Sequence, residues 1–427
     1  MSTRTVDRSG SEHGDVKQGA VVLFADAFYS DGVEELSLFG CSVKLDPSLM
    51  DGSLVDAIAS LNPDILVVRS TRVTNEMLDA SERLSVLIRA GAGYDTIDVG
   101  AASKRGVFVA NCPGKNSIAV AELAWSLILS CDRRIPDQVT DLRRGVWNKK
   151  KYSDARGLHG RTLGVIGLGG VGLEVAKRGI AFGMNVVAWS RSLTDEKAAE
   201  LGIYRCKNLL DLAKTSDVVT VHVSATPDTE GLIDAAFLAA MKDCAIFVNT
   251  SRGKVIDEAA LVCATQDKQL RVGLDVYADE PATSEGKFSP KIIEQVCVYG
   301  THHVGASTQQ SQDSIASEVL RIVKSYVTTG IVPNCVNRAQ TSHAKALLSV
   351  RHRNLPGVLA HVFESISLAG VNVEEMENII YEGASAACAR IQLDDQPTPE
   401  QIATIRENEN ILGVIVSIIN EPTLRVL

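Results

Sequence analysis

The chain of 427 residues is poor in aromatic side chains, which make up only 5% of it. So sparse a supply of Phe, Tyr and Trp argues against a surface that stacks bases. A formal net charge of -9 repels phosphate backbones overall, while leaving room for a local basic pocket around a small anion. Nucleic acid is therefore not an expected partner. The cysteines, at 41, 112, 131, 206, 244, 263, 297, 335 and 388, include no CxxC pair and no histidine spacing suited to zinc. They read as reduced, mostly buried thiols, and no metal is expected. No run approaches the ~18 uncharged apolar residues that a membrane span requires, and the opening MSTRTVDRSGSEHGDVKQG has no apolar signal-peptide core. The expectation is a cytoplasmic protein without membrane contact, with a disordered tail over residues 1–18.

Core-forming material is plentiful: 45% of the residues are hydrophobic, and the length exceeds what one core usually serves. Short β-branched runs (AVVLFADAF, DILVVRS, SVLIRAGAGYD) alternate with helical stretches. A long apolar-periodic helix over 116–134 follows, with arginines at its C-terminal end, where the macrodipole favours cations. From 161 the alternation restarts with RTLGVIGLGGVG, then NVVAWSRS, DVVTVHVSA, AIFVNTSRG and RVGLDVYADE. The last 80 or so residues read strand, helix, strand, strand, helix, strand, the ferredoxin-like order. In its first helix, Pro356 suits a first turn and Gly370 a C-terminal stop.

Gly167, Gly169 and Gly172 form GLGGVG between a strand and a helix. In that context the first glycine permits the tight turn, the second lets a pyrophosphate approach the backbone (Gly170 and Val171 lie beside it), and the third allows close helix packing. A glycine-rich turn without ligand is the alternative. About twenty residues on, where an acid normally holds the adenosine ribose, the strand ends in Ser190-Arg191. Hydroxyl and guanidinium there remove repulsion against a 2′-phosphate, so NADP(H) joins NAD(H) as a candidate; Arg191 stacking on adenine is the other reading.

Three later strand ends carry polar residues: NTSRG with Arg252, DVYADEP with Glu280, and GTHHVGAST with His302 and His303. Hydride transfer between nicotinamide and a 2-hydroxy acid needs a group for the hydroxyl proton and a cation for the carboxylate and carbonyl, which histidine and arginine supply. A carboxylate on the far imidazole nitrogen would fix its tautomer and favour the imidazolium. Taken singly, each residue also reads as an ordinary polar group at a turn.

Taken together, GLGGVG, NTSRG, LDVYADEP and HVGAST, in this order, resemble the D-2-hydroxyacid dehydrogenase family over roughly residues 20 to 335. The resemblance implies a flavodoxin-like, Rossmann-like substrate-binding domain over 19–116 and 304–334, and a dinucleotide-binding domain over 117–303. It implies Arg252 on the substrate, Glu280 paired with a histidine, and His303 as the acid/base, His302 standing where the family has proline. It also implies cofactor contacts from Val223, Ser224, Thr250, Ser251, Asp275 and Gly305. Substrate contacts would come from VVRSTRVT (Arg69, Ser70) and IRAGAGYDTID (Arg89, Ala92, Gly93), where backbone amides and arginine surround the carboxylate end, and from Lys149, which would cross a dimer contact. Ser224, Thr96 and Ser190 depart from the family pattern, and only Ser190 bears on function, through cofactor choice.

After a linker over 335–344, the tail over 345–427 is similar to ACT regulatory domains. A body of this family ending in such a domain resembles the members that oxidise 3-phosphoglycerate to 3-phosphohydroxypyruvate in serine biosynthesis. The resemblance then implies L-serine as effector, held by His352, Asn354 and Asn372 across paired domains, and a homotetramer. Asn354 capping the following helix is the simpler reading. Other 2-hydroxy acids, a hydroxypyruvate reductase, or a non-catalytic NAD(H)-sensing corepressor remain alternatives.

Overall fold

A computed structural model describes residues 19–28, 30–281, 285–419 and 423–424. The tail expected over 1–18 lies outside the described residues. The chain divides into one unit ending at Asn337 and a second beginning at Arg338.

The first unit holds two parallel sheets. Strands β1 (Val21–Phe24), β2 (Ser42–Leu45), β3 (Ile65–Val68), β4 (Val86–Arg89) and β5 (Phe108–Ala110) run in the order β2-β1-β3-β4-β5. The second sheet contains β6 (Thr162–Ile166), β7 (Asn185–Trp189), β8 (Tyr204–Arg205), β9 (Val218–Val221), β10 (Ile246–Asn249), β11 (Arg271–Leu274) and β12 (Val298–Gly300), ordered β12-β11-β10-β9-β6-β7-β8. Runs such as ILVV, VVTV and IFVN are buried on both faces, which parallel pairing beneath helices demands and an open antiparallel sheet does not. Both orders reverse about their first strand, and ligands of such sheets bind at that switch point, beyond the strands' carboxyl ends.

Helix packing decides which lobe each segment serves. Ala121, Trp125, Leu127, Ile128 and Cys131 of the helix Ser117–Arg133 join Leu163, Val165, Val175 and Val186 under the second sheet. The helix Gln309–Thr329 returns to the first sheet, where Ile315, Val319, Ile322 and Val323 meet Val22, Phe24, Ile65 and Ile88. Each such side chain contributes about 1.5–3 kcal/mol on burial. Thr308, the last residue of GTHHVGAST, caps that helix by accepting from the Ser311 amide at 3.2 Å. Within the helix, Glu318 accepts from Arg321 and Asn334 at 2.6 Å each and pairs with Lys115 at 3.2 Å, tying three separate segments together. The expected linker is shorter than 335–344: Val336 donates to the Val109 carbonyl at 2.7 Å, and Asn337 accepts from the Val109 amide at 2.8 Å.

In the second unit, β13 (Thr341–Ser342) pairs with β18 (Thr423–Leu424), and β14 (Ala346–Arg353), β15 (Val373–Ile380), β16 (Ala386–Leu393) and β17 (Ile411–Ile418) form an antiparallel sheet ordered β15-β16-β14-β17. This is the ferredoxin-like βαββαβ arrangement expected. Alternate residues Ala346, Leu348 and Val350 pack with Val362, Ile366, Ala389, Ile391 and Ile405. The first helix begins later than Pro356 suggests: it spans Val358–Leu368 behind Gly357, whose φ of 85° only glycine adopts without strain. Gly370, with φ 69°, follows its end as expected.

Candidate active site

At the switch point, Gly167 turns with φ 90°, and a Cβ there would lie 2.6 Å from the carbonyl oxygen of His222, on the neighbouring strand end, and 2.9 Å from Val223. A Cβ on Gly172 would lie 2.0 Å from the carbonyl oxygen of Gly167, so the helix Gly170–Ala181 is pressed onto the turn, and one on Gly170 would lie 2.5 Å from the Ser117 hydroxyl. Gly169 instead faces open space, with nothing within 4 Å of its Cβ position. Beside this cradle two buried polar atoms have no partner, Oγ1 of Thr250 and Nδ1 of His222. Burial pushes His222 down to about 3, so its ring stays neutral, with Nε2 2.8 Å from the Thr220 hydroxyl. A glycine floor open only at Gly169, beside a helix N-terminus and orphaned polar atoms, fits a dinucleotide with its pyrophosphate over Gly169. Ser190 and Arg191 follow β7. Arg191 is 75% exposed and lies 3.8 Å from Asp228, too loose to hold it in place. The Ser224 carbonyl accepts from the Thr229 hydroxyl at 2.6 Å.

The NTSRG turn is organised by buried Asn249, which accepts from the Ser251 amide and hydroxyl at 2.9 and 2.7 Å and donates to the Arg252 carbonyl at 2.9 Å. Arg252 crosses to the other lobe: Nε and Nη2 donate to Asp95 at 3.2 and 3.0 Å, and Nη1 to the Ser251 carbonyl at 2.8 Å. Gly93 makes room for this, since a Cβ there would lie 1.9 Å from Nη2. Gly91 does the same for Arg89, whose Nη1 lies 1.6 Å from its Cβ position. Burial and then the charge of Arg252, opposed by Asp95 and aided by Arg69, lower Arg89 to about 10. Asp95 and Asn249 lie within the stretches IRAGAGYDTID and NTSRG but carried no expected role, and they shape the arginine cluster.

Arg69 lines a cavity of about 240 Å³ with Ala27, Phe28, Ala90, Gln312 and Ile315. The loop bearing it departs from expectation. The amides of Arg69, Ser70 and Thr71 all point to Oδ2 of Asp26, at 2.6, 3.2 and 3.2 Å, so Asp26 occupies the donors expected to meet a substrate. What this loop offers is the Arg69 side chain. The Ala92 carbonyl accepts from Asn111 at 2.6 Å, and Lys149 stands on an exposed stretch ahead of the short turn Lys150–Tyr152.

Beyond β12 the chain reaches His303, whose φ of 51° places an L-residue in the left-handed region. Asp275 holds it there. The Asp275 carbonyl accepts the His303 amide at 2.8 Å, and its carboxylate accepts from Thr301 at 2.7 Å and from the amides of Val304 and Gly305 at 2.9 Å each. Asp275 and Gly305, both expected at the cofactor, are engaged with one another in this staple. Nδ1 of His303 lies 2.6 Å from Oε2 of Glu280, and Oε1 of Glu280 accepts the Tyr277 amide at 2.9 Å. Burial pushes Glu280 up, but the His303 hydrogen bond and charge, the Tyr277 amide and Arg252 outweigh it and hold the carboxyl below its usual range. His302 and His303 are both exposed, and the Glu280 contact through Nδ1 is what sets His303 apart.

In the second unit the effector residues are not gathered. His352 is only 2% exposed, with Nδ1 2.8 Å from the Arg353 carbonyl and Nε2 3.2 Å from Oδ1 of Asn378, so its ring lies in the sheet's core rather than at a ligand. Asn354 donates to the Ala384 carbonyl at 3.1 Å and caps no helix. Asn372 precedes β15 at the opposite end of the sheet, because β14 and β15 both run antiparallel to β16. Among the described residues no group of three or more His, Cys, Asp or Glu could hold a metal ion, and no helix is long and apolar enough to cross a membrane.

Comparison with known proteins agrees with this geometry. Residues 125–305 match the model of the D-isomer specific 2-hydroxyacid dehydrogenase, NAD binding domain. The chain is 35% identical over 367 residues to a D-3-phosphoglycerate dehydrogenase of Methanocaldococcus jannaschii, covering 86% of this chain and 68% of that protein. It is 40% identical over 259 residues to a hydroxypyruvate reductase of Thermotoga maritima, covering 60% and 82%. It spans 58% of the length of the phosphoglycerate dehydrogenases of Mycobacterium bovis and Mycobacterium tuberculosis that it matches. A D-lactate dehydrogenase from Aquifex aeolicus, solved with NAD and lactic acid, superposes with a TM-score of 0.65 at 27% identity, over 75% of this chain and 99% of that one. By fold, site geometry and these matches, the chain belongs to the D-isomer specific 2-hydroxyacid dehydrogenase family.

Proposed function

We propose that the protein oxidises 3-phospho-D-glycerate to 3-phosphohydroxypyruvate with NAD(H), or runs the reverse reduction. The observation that carries this reading is the convergence of Arg69, Arg89 and Arg252 beside the His303–Glu280 pair. A substrate with a carboxylate at one end and a phosphate at the other needs several cations, whereas a lone short hydroxy acid needs one. A nicotinamide dinucleotide held by the Gly167–Gly172 turn would supply or take up the hydride. The chain's own residues do the rest. Arg252 holds the carboxylate and polarises the C2 oxygen, and Nε2 of His303 takes the hydroxyl proton. Glu280 stabilises the resulting imidazolium, and Arg69 and Arg89, which the resemblance put at the carboxylate end, are in this reading the cations left for the phosphate.

A panel of 3-phosphoglycerate, glycerate, lactate and hydroxypyruvate, followed at the nicotinamide absorbance, tests the substrate. The phosphorylated pair should give the highest kcat/KM; a far higher value for an unphosphorylated acid overturns the assignment. Hydroxypyruvate is the second reading, favoured by the Thermotoga maritima relative, 82% of whose length the chain covers. Absence of turnover with every acid despite cofactor binding would point to a sensor.

The same reading assigns L-serine as effector and a homotetramer. Since Asn354 and Asn372 stand at opposite ends of one sheet, a site using both takes one residue from each of two copies. Titration calorimetry with serine checks it. With Ser190 and Arg191 in place of the ribose acid, NADP(H) should bind within about tenfold of NAD(H), and Arg191→Ala should weaken NADPH more than NADH; equal losses would rule out an Arg191 contact with the 2′-phosphate.

A further inference from the structure

Arg252 has five N–H donors, and three are already engaged: Nε and Nη2 on Asp95, at 3.2 and 3.0 Å, and Nη1 on the Ser251 carbonyl at 2.8 Å. One donor is left on each terminal nitrogen, and those two nitrogens are the pair that can grip a carboxylate end-on. From this accounting we infer that Asp95 is a positioning residue for the reaction, which fixes Arg252 so that only these two donors face the substrate.

Three features of the Asp95 loop serve that role. Asp95 belongs to the loop after β4, in the first lobe, and Arg252 to the turn after β10, in the second. The pair therefore spans the two lobes, and its geometry depends on how they meet. Gly93 lets the guanidinium lie flat against the loop, since a Cβ there would lie 1.9 Å from Nη2 and 3.1 Å from Oδ1 of Asp95. Asp95 also offsets the mutual repulsion of Arg252 and Arg89. Burial pushes its own carboxyl up, but the hydrogen bond and charge of Arg252, with Arg89 behind, hold it below the usual range. A group that only bound substrate would be a cation; a carboxylate placed here opposes anion binding by charge while improving the aim of the cation that does the binding.

The inference rests on the proposed dehydrogenase activity and has a sharp signature: Asp95→Asn should lower turnover while leaving anion binding intact or tighter. In keto-acid reduction, kcat should fall at least tenfold, while the dissociation constant of oxalate from the NADH complex stays within twofold of the parent or drops. Asp95→Glu, which keeps the charge on a longer arm, should recover part of kcat. Unchanged NADH affinity and thermal midpoint would show that the fold is kept. A kcat within twofold of the parent in Asp95→Asn would overturn the inference, as would a loss of oxalate binding matching the loss of kcat. The pairing has its own readout: phenylglyoxal should modify Arg252 faster in Asp95→Asn than in the parent, and equal rates would refute it. Absence of turnover by the parent protein, with Arg252 still protected by Asp95, would count against the dehydrogenase reading alone.

Discussion

Nδ1 of His303 lies 2.6 Å from Oε2 of Glu280, while the other oxygen of that carboxylate is tied to the Tyr277 amide. The carboxylate is thus fixed at both ends and cannot follow the ring, which orients Nε2. Replacing it by a neutral amide removes the negative charge that faces the ring and loosens its hold on Nδ1. In Glu280→Gln kcat/KM for keto-acid reduction should therefore fall about 10–100-fold at neutral pH, with NADH affinity kept. A kcat/KM within about twofold of the parent would show that the contact plays no part in the reaction.

The adjacent histidines should behave oppositely. His303→Ala should lower turnover by about 10²–10⁴-fold, the usual range for loss of an acid/base group, with NADH binding kept. His302, exposed and outside the Asp275 staple, should tolerate alanine with less than about a threefold change. Comparable losses in both would show that the assigned register of GTHHVGAST is wrong.

Two glycines of the cofactor turn separate folding from binding. Gly172→Ala places a Cβ 2.0 Å from a backbone oxygen and should lower the thermal midpoint as well as cofactor affinity. Gly169→Ala meets nothing within 4 Å in the protein. It should leave the midpoint unchanged and weaken NADH binding at least about tenfold, through contact with the pyrophosphate. Normal NADH affinity in Gly169→Ala would refute the placement of the pyrophosphate.

Glu318 supplies a pH signature of stability. Arg321, then Asn334 and Lys115, against opposing burial, hold its carboxyl down to about 2, from an ordinary 4.5. With the folded value depressed, its contribution is complete above the unfolded value and fades as pH falls through 4.5 toward 2. Glu318→Gln should cost on the order of 2–3 kcal/mol at neutral pH, and the gap to the parent should narrow between about pH 5 and pH 3. Urea unfolding across that range checks it, and a constant gap would locate the effect in packing instead.

The parts legible in the sequence were those written locally. Strands such as ILVV and IFVN are buried on both faces and read as unbroken apolar runs. Edge strands β2 and β8, part-exposed or exposed throughout, carry no such signal. The motif residues Arg252, Glu280 and His303 were legible because each sits at a strand end with a distinctive neighbourhood, and they do converge. Asp95 and Asp26 were not, because their partners lie 157 and 43 residues away in the chain. The burial of His352 was available in principle: it shares the parity of Ala346, Leu348 and Val350 along one strand, so alternation alone turns it inward.

The left-handed backbone of His303 sets function and robustness against each other at one position. Any L-residue there carries a penalty of about 1–2 kcal/mol that glycine escapes, and His303→Gly would relieve it while removing the proton-transfer group. A screen for heat resistance that did not monitor turnover would therefore favour discarding the side chain proposed to carry the proton. Variants of this protein improved for stability should be re-sequenced at position 303 before they are assayed for anything else.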